Sequence, residues 1–271
     1  MMALLRRLIN LFRPVKVVRA HVQNTQPGEL LKGKRIVITG GTGGIGKAMA
    51  KRFLAEGARV LITGRKPETL SQVSSDLDCE SLLLDVTKVD SFQSFIDEVI
   101  DKLGGIDCLV NNAGISLHES FQEVTPKGFD QQVATNFKGP FFLSQVVLSY
   151  MEQHGIKGHV LFVSSETGDT ADIRPYGLTK AAVNSLVKGL AYLYAKKGIR
   201  VNAIAPGVTA SGMTGFNADE NLNSSFNPIG RIYLPEEMAE VATFLLSDVS
   251  YCISGEIITC NNGKTINARW K

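Results

Sequence analysis

The sequence has few cysteines, and none of them stands in a metal-binding spacing. Its 271 residues include four cysteines, Cys79, Cys108, Cys252 and Cys260, and no two of them form a CxxC pair. Cysteines this sparse exclude a disulfide scaffold, and their spacing argues against a zinc site. The four histidines also lack ligand spacing, so we infer no metal. We expect reduced, buried thiols, as in a cytoplasmic protein.

Long apolar runs are absent as well. No window reaches the ~18 apolar residues that a membrane-spanning helix needs, and the run Leu8–Phe12 between the early arginines is too short for a secretion signal. Hydrophobic residues still make up 44% of the chain and charged residues 20%. This ordinary composition excludes disorder as the main state, and the length suits one large α/β domain.

Acidic residues are missing from the first 28 positions, which carry five basic residues and therefore a charge of +5. The rest of the chain has 24 basic and 26 acidic residues, a balance of −2. The net charge of +3 thus belongs to the N-terminal segment. The rest of the chain shows no cluster of basic residues that could bind the phosphate backbone of a nucleic acid, so we expect no nucleic-acid partner.

The N-terminal segment is patterned as a short basic amphipathic helix that Pro14 should end. One face carries Leu4, Leu8, Leu11 and Val15, and the other carries Arg6, Asn10 and Arg13. Three hypotheses stay open for residues 1–20: peripheral contact with an anionic membrane surface, an arm that packs on its own oligomer, or disorder. Residues 21–33 are interpreted as a linker, which makes 1–33 an extension and 34–271 the folded domain.

From Lys34 onward, short β-rich runs alternate with longer helical stretches such as Ile45–Glu56 and Ser91–Leu103. This alternation predicts βαβ units, and hence one doubly wound α/β domain with a seven-stranded parallel sheet. Ligands of such sheets bind outside the carboxyl ends of the strands. The predicted strands are Arg35–Thr39, Arg59–Thr63, Ser81–Leu84, Cys108–Asn111, His159–Ser164, Arg200–Ala205 and Glu256–Thr259.

A glycine-rich turn joins the first predicted strand to the helix that follows it. Gly40, Gly44 and Gly46 allow a tight turn, close approach of the backbone to a pyrophosphate, and close packing of helix on strand. Thr42 and Ile45 lie in the same turn, and the helix N-terminus presents free N–H groups to phosphates. The strand–turn–helix context indicates a dinucleotide-binding site.

The spacing TGxxxGxG resembles that of the short-chain dehydrogenase/reductase family. Four further motifs follow in the family order: Asn111–Gly114 (NNAG), Ser164-Ser165, Tyr176–Lys180 (YxxxK) and Pro206-Gly207. The resemblance covers about residues 34–263 and is strongest to the 3-oxoacyl-thioester reductase and polyol dehydrogenase branches. It implies a single Rossmann domain, an oxidoreductase activity and a homo-oligomer, either a tetramer or a dimer.

The end of the second predicted strand bears on the choice of cofactor. Gly64 stands where NAD-dependent members of the family carry Asp, and Arg65 follows it. Because an arginine near the ribose accommodates a 2′-phosphate, we favour NADP(H) over NAD(H). The resemblance also implies that further residues contact the cofactor. They are Asp85 and Val86 near the adenine, Asn112, Ala113 and Gly114 on the adenosine side, and Pro206, Gly207 and Val208 at the nicotinamide carboxamide.

Tyr176 and Lys180 are four residues apart, so they share a helix face. We expect the lysine ammonium to lower the pKa of the phenol, which then exchanges a proton with the substrate oxygen. By resemblance, Lys180 also contacts the nicotinamide ribose, Ser165 polarises the substrate oxygen, with Ser164 as the alternative, and Asn136 supports a water that links the lysine to solvent.

These residues lead to three hypotheses about function. The first is an NADP(H)-dependent oxidoreductase, expected to act as a reductase, that interconverts a carbonyl and a secondary alcohol of a small molecule. The second is a nucleotide-binding scaffold or sensor without turnover, which the fold alone would allow. The third is a sugar epimerase or dehydratase, although the longer relatives of that class carry an additional substrate domain. Residues Thr209–Arg231 are predicted to form a substrate lid, with Met213, Phe216 and Phe226 as apolar contacts.

Overall fold

The computed structural model describes residues 28–266 and the isolated positions 17 and 19. The amphipathic segment predicted at residues 1–20 therefore lies outside the described residues, apart from those two positions. Within the described part of the chain, no helix combines the length and the apolar character needed to cross a bilayer.

The described chain contains seven strands and seven α-helices, with one helix between successive strands except between β4 and β5, which are joined by two. The strands are β1 (Arg35–Ile38), β2 (Arg59–Gly64), β3 (Glu80–Leu83), β4 (Cys108–Asn111), β5 (His159–Val163), β6 (Arg200–Pro206) and β7 (Ile257–Cys260). The helices are α1 (Gly44–Ala55), α2 (Pro67–Leu77), α3 (Phe92–Leu103), α4 (Pro126–Val133), α5 (Gly139–Gln153), α6 (Pro175–Tyr194) and α7 (Pro235–Leu246). A π-helical segment, Ala134–Lys138, joins α4 to α5.

All seven strands are parallel and follow the order β3-β2-β1-β4-β5-β6-β7. The chain winds outward from β1 in both directions, so the strand order reverses between β1 and β4. This confirms the predicted doubly wound sheet. A crevice opens at such a reversal, outside the carboxyl ends of the strands.

The sheet is covered by helices on both faces, and alternate side chains of each strand pack into different layers. Val37 joins the apolar layer that contains Phe92 of α3 and Val147 of α5. Its neighbour Ile38 joins the layer that contains Phe53 of α1. Because both faces are buried, the strands carry near-continuous apolar runs instead of alternating ones.

The last residues of the predicted linker pack against the body of the domain. Leu31 is fully buried in the core, and its backbone N–H donates to the Glu56 carbonyl at 3.2 Å. The backbone N–H of Leu30 donates to Glu56 Oε2 at 3.0 Å. Packing of the domain therefore begins before the predicted boundary at Lys34.

Candidate active site

A cleft of about 650 Å³ opens at the carboxyl ends of the strands, beside the reversal between β1 and β4. This volume lies within the range of small-molecule and cofactor sites. Sixteen predicted site residues line it: Gly40, Thr42, Gly44, Ile45, Arg65, Asp85, Val86, Asn112, Ala113, Gly114, Ser165, Tyr176, Lys180, Pro206, Gly207 and Val208. Gly46 and Asn136 lie behind the walls of the cleft.

The glycine turn depends on two positions that only glycine fits well. Gly40 has a φ of +65°, in the left-handed region that favours glycine. A Cβ on Gly46 would lie 2.3 Å from the Gly40 carbonyl oxygen and 2.5 Å from Asn112 Nδ2. The first turn of α1 has no side-chain cap and no acidic residue. Its N–H groups therefore suit an anion, and the turn fits the pyrophosphate of a dinucleotide.

Hydrogen bonds hold this turn against the end of β4. Asn112 Nδ2 donates to the carbonyl oxygens of Thr39 and Gly40, both at 2.9 Å. The Thr39 hydroxyl in turn accepts from the backbone N–H groups of Asn112 and Ala113, both at 3.0 Å. The NNAG motif thus fixes the relative position of two cleft walls.

The end of β2 places Arg65 in the cleft with Asp85 nearby. A Cβ on Gly64 would lie 2.7 Å from the Thr42 methyl carbon, so a larger residue at position 64 requires that threonine to move. Asp85 Oδ1 accepts from the Thr87 N–H at 3.0 Å and from its hydroxyl at 2.8 Å. Burial opposes ionisation of Asp85, but these bonds and the Arg65 charge lower its pKa overall.

Tyr176 and Lys180 lie together in the cleft wall, where Lys180 is buried and Tyr176 is half-buried. Burial lowers the pKa of Lys180 to about 8, and its Nζ donates to the Val163 carbonyl at 2.7 Å. The same Nζ lies 5.6 Å from the centre of the Tyr176 ring. The expected lowering of the phenol pKa is not found. Burial raises the pKa of Tyr176, with Ser165 and Arg174 opposing this effect.

Ser164 and Ser165 have different surroundings. The Ser164 hydroxyl donates to Asn184 Oδ1 at 2.5 Å and lies 3.4 Å from the Lys180 carbonyl, which ties β5 to α6. Ser165 Oγ accepts from the Thr167 N–H at 3.3 Å and hydroxyl at 3.1 Å. The Ser165 hydroxyl also hydrogen-bonds the Tyr176 side chain, so it lies beside the phenol, which favours Ser165 over Ser164 as the serine that contacts substrate.

Asn136 lies in the π-helical segment and is 1% exposed. Its Oδ1 accepts from the Ile115 N–H at 2.8 Å, and its Nδ2 donates to the Ile115 carbonyl at 2.9 Å. Asn136 therefore braces the strand end that carries Gly114. Single π turns of this kind often occur at functional sites.

Three charged or protonatable residues of the cleft were not predicted from the sequence: His118, Glu166 and Arg174. Glu166 Oε1 accepts from Lys264 Nζ at 2.6 Å, and its Oε2 accepts from Asn261 Nδ2 at 3.1 Å. These partners stand almost a hundred positions away, so no local pattern could indicate them. Arg174 comes two residues before Tyr176, and this proximity was the available signal.

Part of the predicted lid covers the cleft. Met213 and Phe216 line it, and the Met213 carbonyl lies 3.0 Å from His118 Nε2. Phe226 does not line the cleft; it lies against Lys264, with Nζ 5.2 Å from the ring centre. Among the described residues, no group of three or more His, Cys, Asp or Glu side chains could hold a metal ion.

Comparison with known proteins gives consistent results. Residues 40–265 match the family model described as enoyl-(acyl carrier protein) reductase. Gluconate 5-dehydrogenase of Gluconobacter oxydans is 33% identical, over 88% of this chain and 96% of the relative. The 3-oxoacyl-[acyl-carrier-protein] reductase of Thermotoga maritima is 34% identical, over 87% of this chain and 99% of the relative.

Solved structures agree with these sequence matches. The 3-ketoacyl-(acyl-carrier-protein) reductase of Brucella melitensis, complexed with NADH, superposes with a TM-score of 0.81. It is 28% identical, with 87% of this chain and 99% of that one covered. A short-chain type dehydrogenase/reductase of Mycobacterium marinum has the same TM-score at 31% identity, covering 87% and 97% of the two chains.

Proposed function

This chain belongs to the short-chain dehydrogenase/reductase family, a family of oxidoreductases that bind a nicotinamide cofactor, and on that premise we propose an NADP(H)-dependent carbonyl reductase. Its reaction interconverts a carbonyl and a secondary alcohol of a small molecule. The observation that carries the proposal is one cleft that contains the glycine turn, Arg65, Ser165, Tyr176 and Lys180.

The chemistry of this proposal divides between cofactor and protein. When bound, the nicotinamide supplies or accepts the hydride. The Ser165 hydroxyl donates a hydrogen bond to the substrate oxygen and holds the carbonyl polarised. Because burial keeps the pKa of Tyr176 high, the phenol carries its proton at neutral pH. It therefore serves as the acid that protonates the developing alkoxide during reduction.

Lys180 stabilises the phenolate that remains after this transfer. Below its pKa of about 8 it is an ammonium, anchored to the Val163 carbonyl at 2.7 Å and close to the Tyr176 ring. When the cofactor is bound, Lys180 would also hold the nicotinamide ribose. Asn136 positions the backbone at Ile115 and, in this proposal, supports the water that returns protons to the lysine.

The preference for NADP(H) rests on the end of β2. Arg65 lines the cleft where the adenosine ribose would lie, and any side chain at position 64, including an acidic one, would require Thr42 to move. A cationic guanidinium favours a 2′-phosphate through charge-assisted hydrogen bonds. The Brucella melitensis relative was solved with NADH, so the preference is proposed for this chain alone.

NADPH oxidation tests this function, using a panel of β-keto thioesters, diketones and keto-sugars with the wild-type protein and Tyr176→Phe. We expect turnover of at least one carbonyl, and a loss of ~100-fold or more in Tyr176→Phe, the usual contribution of general acid catalysis. Turnover that survives this substitution would refute the mechanism. Tight NADPH binding without turnover of any carbonyl would favour the alternative, a nucleotide-binding scaffold or sensor.

We further propose that the protein is a cytoplasmic homo-oligomer. Helices α5 and α6 leave large apolar side chains exposed, including Phe141, Phe142, Tyr192 and Leu193. Such patches mark association surfaces, and light scattering of the purified protein tests for a dimer or tetramer.

For residues 1–20, membrane contact and an oligomer arm stay as alternatives. Co-sedimentation with anionic liposomes of the full chain, against a chain that starts at Gly28, separates them.

A further inference from the structure

Arg174 is a charged cleft residue to which the proposed reaction assigns no contact with substrate or cofactor, although its charge opposes the rise of the Tyr176 pKa. It is the N-terminal cap residue of α6, in extended conformation, two positions before Tyr176. Its side chain lines the cleft together with Ser165 and Tyr176, and 48% of it stays exposed. Arg174 thus borders the part of the cleft where the substrate would meet the catalytic side chains.

Asp172 fixes the position of this guanidinium. Arg174 Nε donates to Asp172 Oδ1 at 2.9 Å, and Nη2 donates to Oδ2 at 2.7 Å. The Arg174 backbone N–H donates to the same Oδ1 at 2.9 Å. Two parallel bonds to one carboxylate fix the plane of the guanidinium as well as its position.

Asp172 is itself held in place. Its side chain is 7% exposed, and a Cβ on Gly177 would lie 2.1 Å from its Oδ2. The carboxylate therefore packs directly on the first turn of α6, in space that a side chain at position 177 would fill. The ion pair is formed before any ligand binds, so the guanidinium is already oriented, which reduces the entropy lost on binding.

Only the cationic member of the pair faces the cleft. Arg174 is a lining residue and Asp172 is not. The pair uses Nε and Nη2, while Nη1 has no hydrogen-bond partner within residues 28–266. Since a guanidinium carries five N–H donors, several remain available to a ligand.

The acidic residues that line the cleft do not oppose an anion at this point. Among the described lining residues they are Asp85, at the adenosine end, and Glu166. Lys264 neutralises Glu166 through an ion pair of 2.6 Å, and Asn261 donates to its second oxygen. An anion beside Arg174 would therefore meet a guanidinium whose Asp172 partner does not line the cleft, and a carboxylate, Glu166, that is already paired with Lys264.

From this arrangement we propose that Arg174 recognises the substrate, and that the substrate carries a carboxylate in addition to its reacting carbon. The substrate class is thus hydroxy acids and their keto counterparts. The inference rests on the proposed function, since it concerns the substrate of the same cleft. Planar guanidinium and planar carboxylate match in geometry, which a lysine at this position would not reproduce.

The test compares acids with neutral molecules that differ only at the carboxylate, with NADP⁺ as the oxidant. D-Gluconate is paired with sorbitol, and 3-hydroxybutyrate with its methyl ester. We expect the wild-type protein to prefer the acid of a pair. Arg174→Gln should raise KM for the acid by roughly 5- to 30-fold, the range of charge-assisted hydrogen bonds reduced by solvent screening at an exposed side chain, and change KM for the neutral partner less than about threefold.

Two further variants sharpen the comparison. Arg174→Lys keeps the positive charge but lacks the planar guanidinium. Its KM for the acid should lie between those of the wild-type protein and Arg174→Gln. Arg59→Gln removes an exposed arginine at the opposite end of the sheet and should leave both KM values unchanged. A preference for the neutral partners, or equal effects of Arg174→Gln on both members of a pair, would overturn the proposal.

Calorimetric titration of the enzyme–NADPH complex gives a readout that does not need turnover. We expect 3-hydroxybutyrate to bind the wild-type complex more tightly than its methyl ester, and Arg174→Gln to abolish the difference. Equal binding of acid and ester by the wild-type complex would refute acid recognition even if carbonyl reduction is observed. Conversely, if the protein binds the acid selectively but turns over no substrate, the proposed carbonyl reduction is refuted while recognition of the acid by Arg174 is supported.

Discussion

Replacing Arg65 by alanine should change which nicotinamide cofactor the protein prefers. Arg65 is exposed at the end of β2, lines the cleft and lies near Asp85. In the proposed complex its guanidinium contacts the 2′-phosphate of NADPH, a group that NADH lacks. The substitution therefore removes a contact made by one cofactor only, and binding of NADH serves as the internal reference.

The magnitude follows from the chemistry and exposure of this contact. Hydrogen bonds to charged groups contribute about 1.5–3 kcal/mol, and solvent screening at an exposed site reduces that value. We therefore expect Arg65→Ala to weaken NADPH binding by about 1–2 kcal/mol, or roughly 5- to 30-fold in Kd. NADH binding should change less than about twofold, since no phosphate is lost.

Fluorescence titration of the two reduced cofactors measures both constants. Lys66→Ala is the matched control, because Lys66 is the adjacent exposed cation and does not line the cleft. Its removal tests whether general positive charge at the end of β2 suffices. Equal losses for NADPH and NADH in Arg65→Ala, or a stronger effect of Lys66→Ala, would refute the role of Arg65.

A second pair of variants tests the steric part of the same reasoning. Gly64→Asp introduces the acid found in NAD-dependent relatives, but its Cβ would lie 2.7 Å from the Thr42 methyl carbon. The single variant should therefore lose stability. Adding Thr42→Ser removes that methyl, restores stability and leaves a protein that prefers NADH. Recovery of neither stability nor NADH binding in the double variant would contradict this account.

Three further predictions concern other positions. Because Lys180 has a pKa of about 8, kcat/KM for NADPH should fall as the pH rises through that value and the ammonium is lost. Lys180→Arg should move this fall to higher pH. An unshifted pH profile would exclude Lys180 as the group whose titration causes the fall. Ser165→Ala should reduce kcat by ~100-fold with little change in stability. Ser164→Ala breaks the hydrogen bond to Asn184 and should lower the free energy of unfolding by about 1 kcal/mol with kcat nearly unchanged. The opposite pattern would make Ser164 the serine that contacts substrate. Arg200 is 7% exposed and donates to backbone carbonyls at the end of α7. Arg200→Met would leave these buried carbonyl oxygens without a donor and should lower the free energy of unfolding in urea by about 3 kcal/mol. An unchanged urea midpoint would refute this contribution of Arg200.

The sequence predicted the sheet and the strand ends because both follow from local patterns. Apolar runs between helical stretches identified all seven strands to within one or two residues, and each glycine, serine or asparagine motif directly follows a strand. Parallel strands bring such motifs to one edge of the sheet whatever the details of packing. The cleft residues Gly40, Asn112 and Tyr176 therefore came together as expected.

The charge environment of the cleft could not be predicted in the same way. Glu166 receives its compensating hydrogen bonds from Asn261 and Lys264, across the sheet and far along the chain. The ionisation of Tyr176 depends on how deeply the phenol is buried, and a spacing of four residues to Lys180 carries no information about burial. Both properties arise from tertiary packing, which a one-dimensional pattern does not encode.

The π-helical segment Ala134–Lys138 also joins α4 and α5 into one continuous helical stretch. At this segment the direction in which successive side chains point is rotated relative to a regular α-helix. The Gly139 N–H donates to the carbonyl of residue 134, five positions back, so the segment holds one residue more than a regular turn. One residue corresponds to about 100° of rotation. Asn136 faces Ile115 on one side of the break, while Leu143 and Val147 face the core on the other. Deleting a single residue here would restore a regular helix and force one of these two faces to turn away, so this stretch should tolerate substitutions far better than changes in its length.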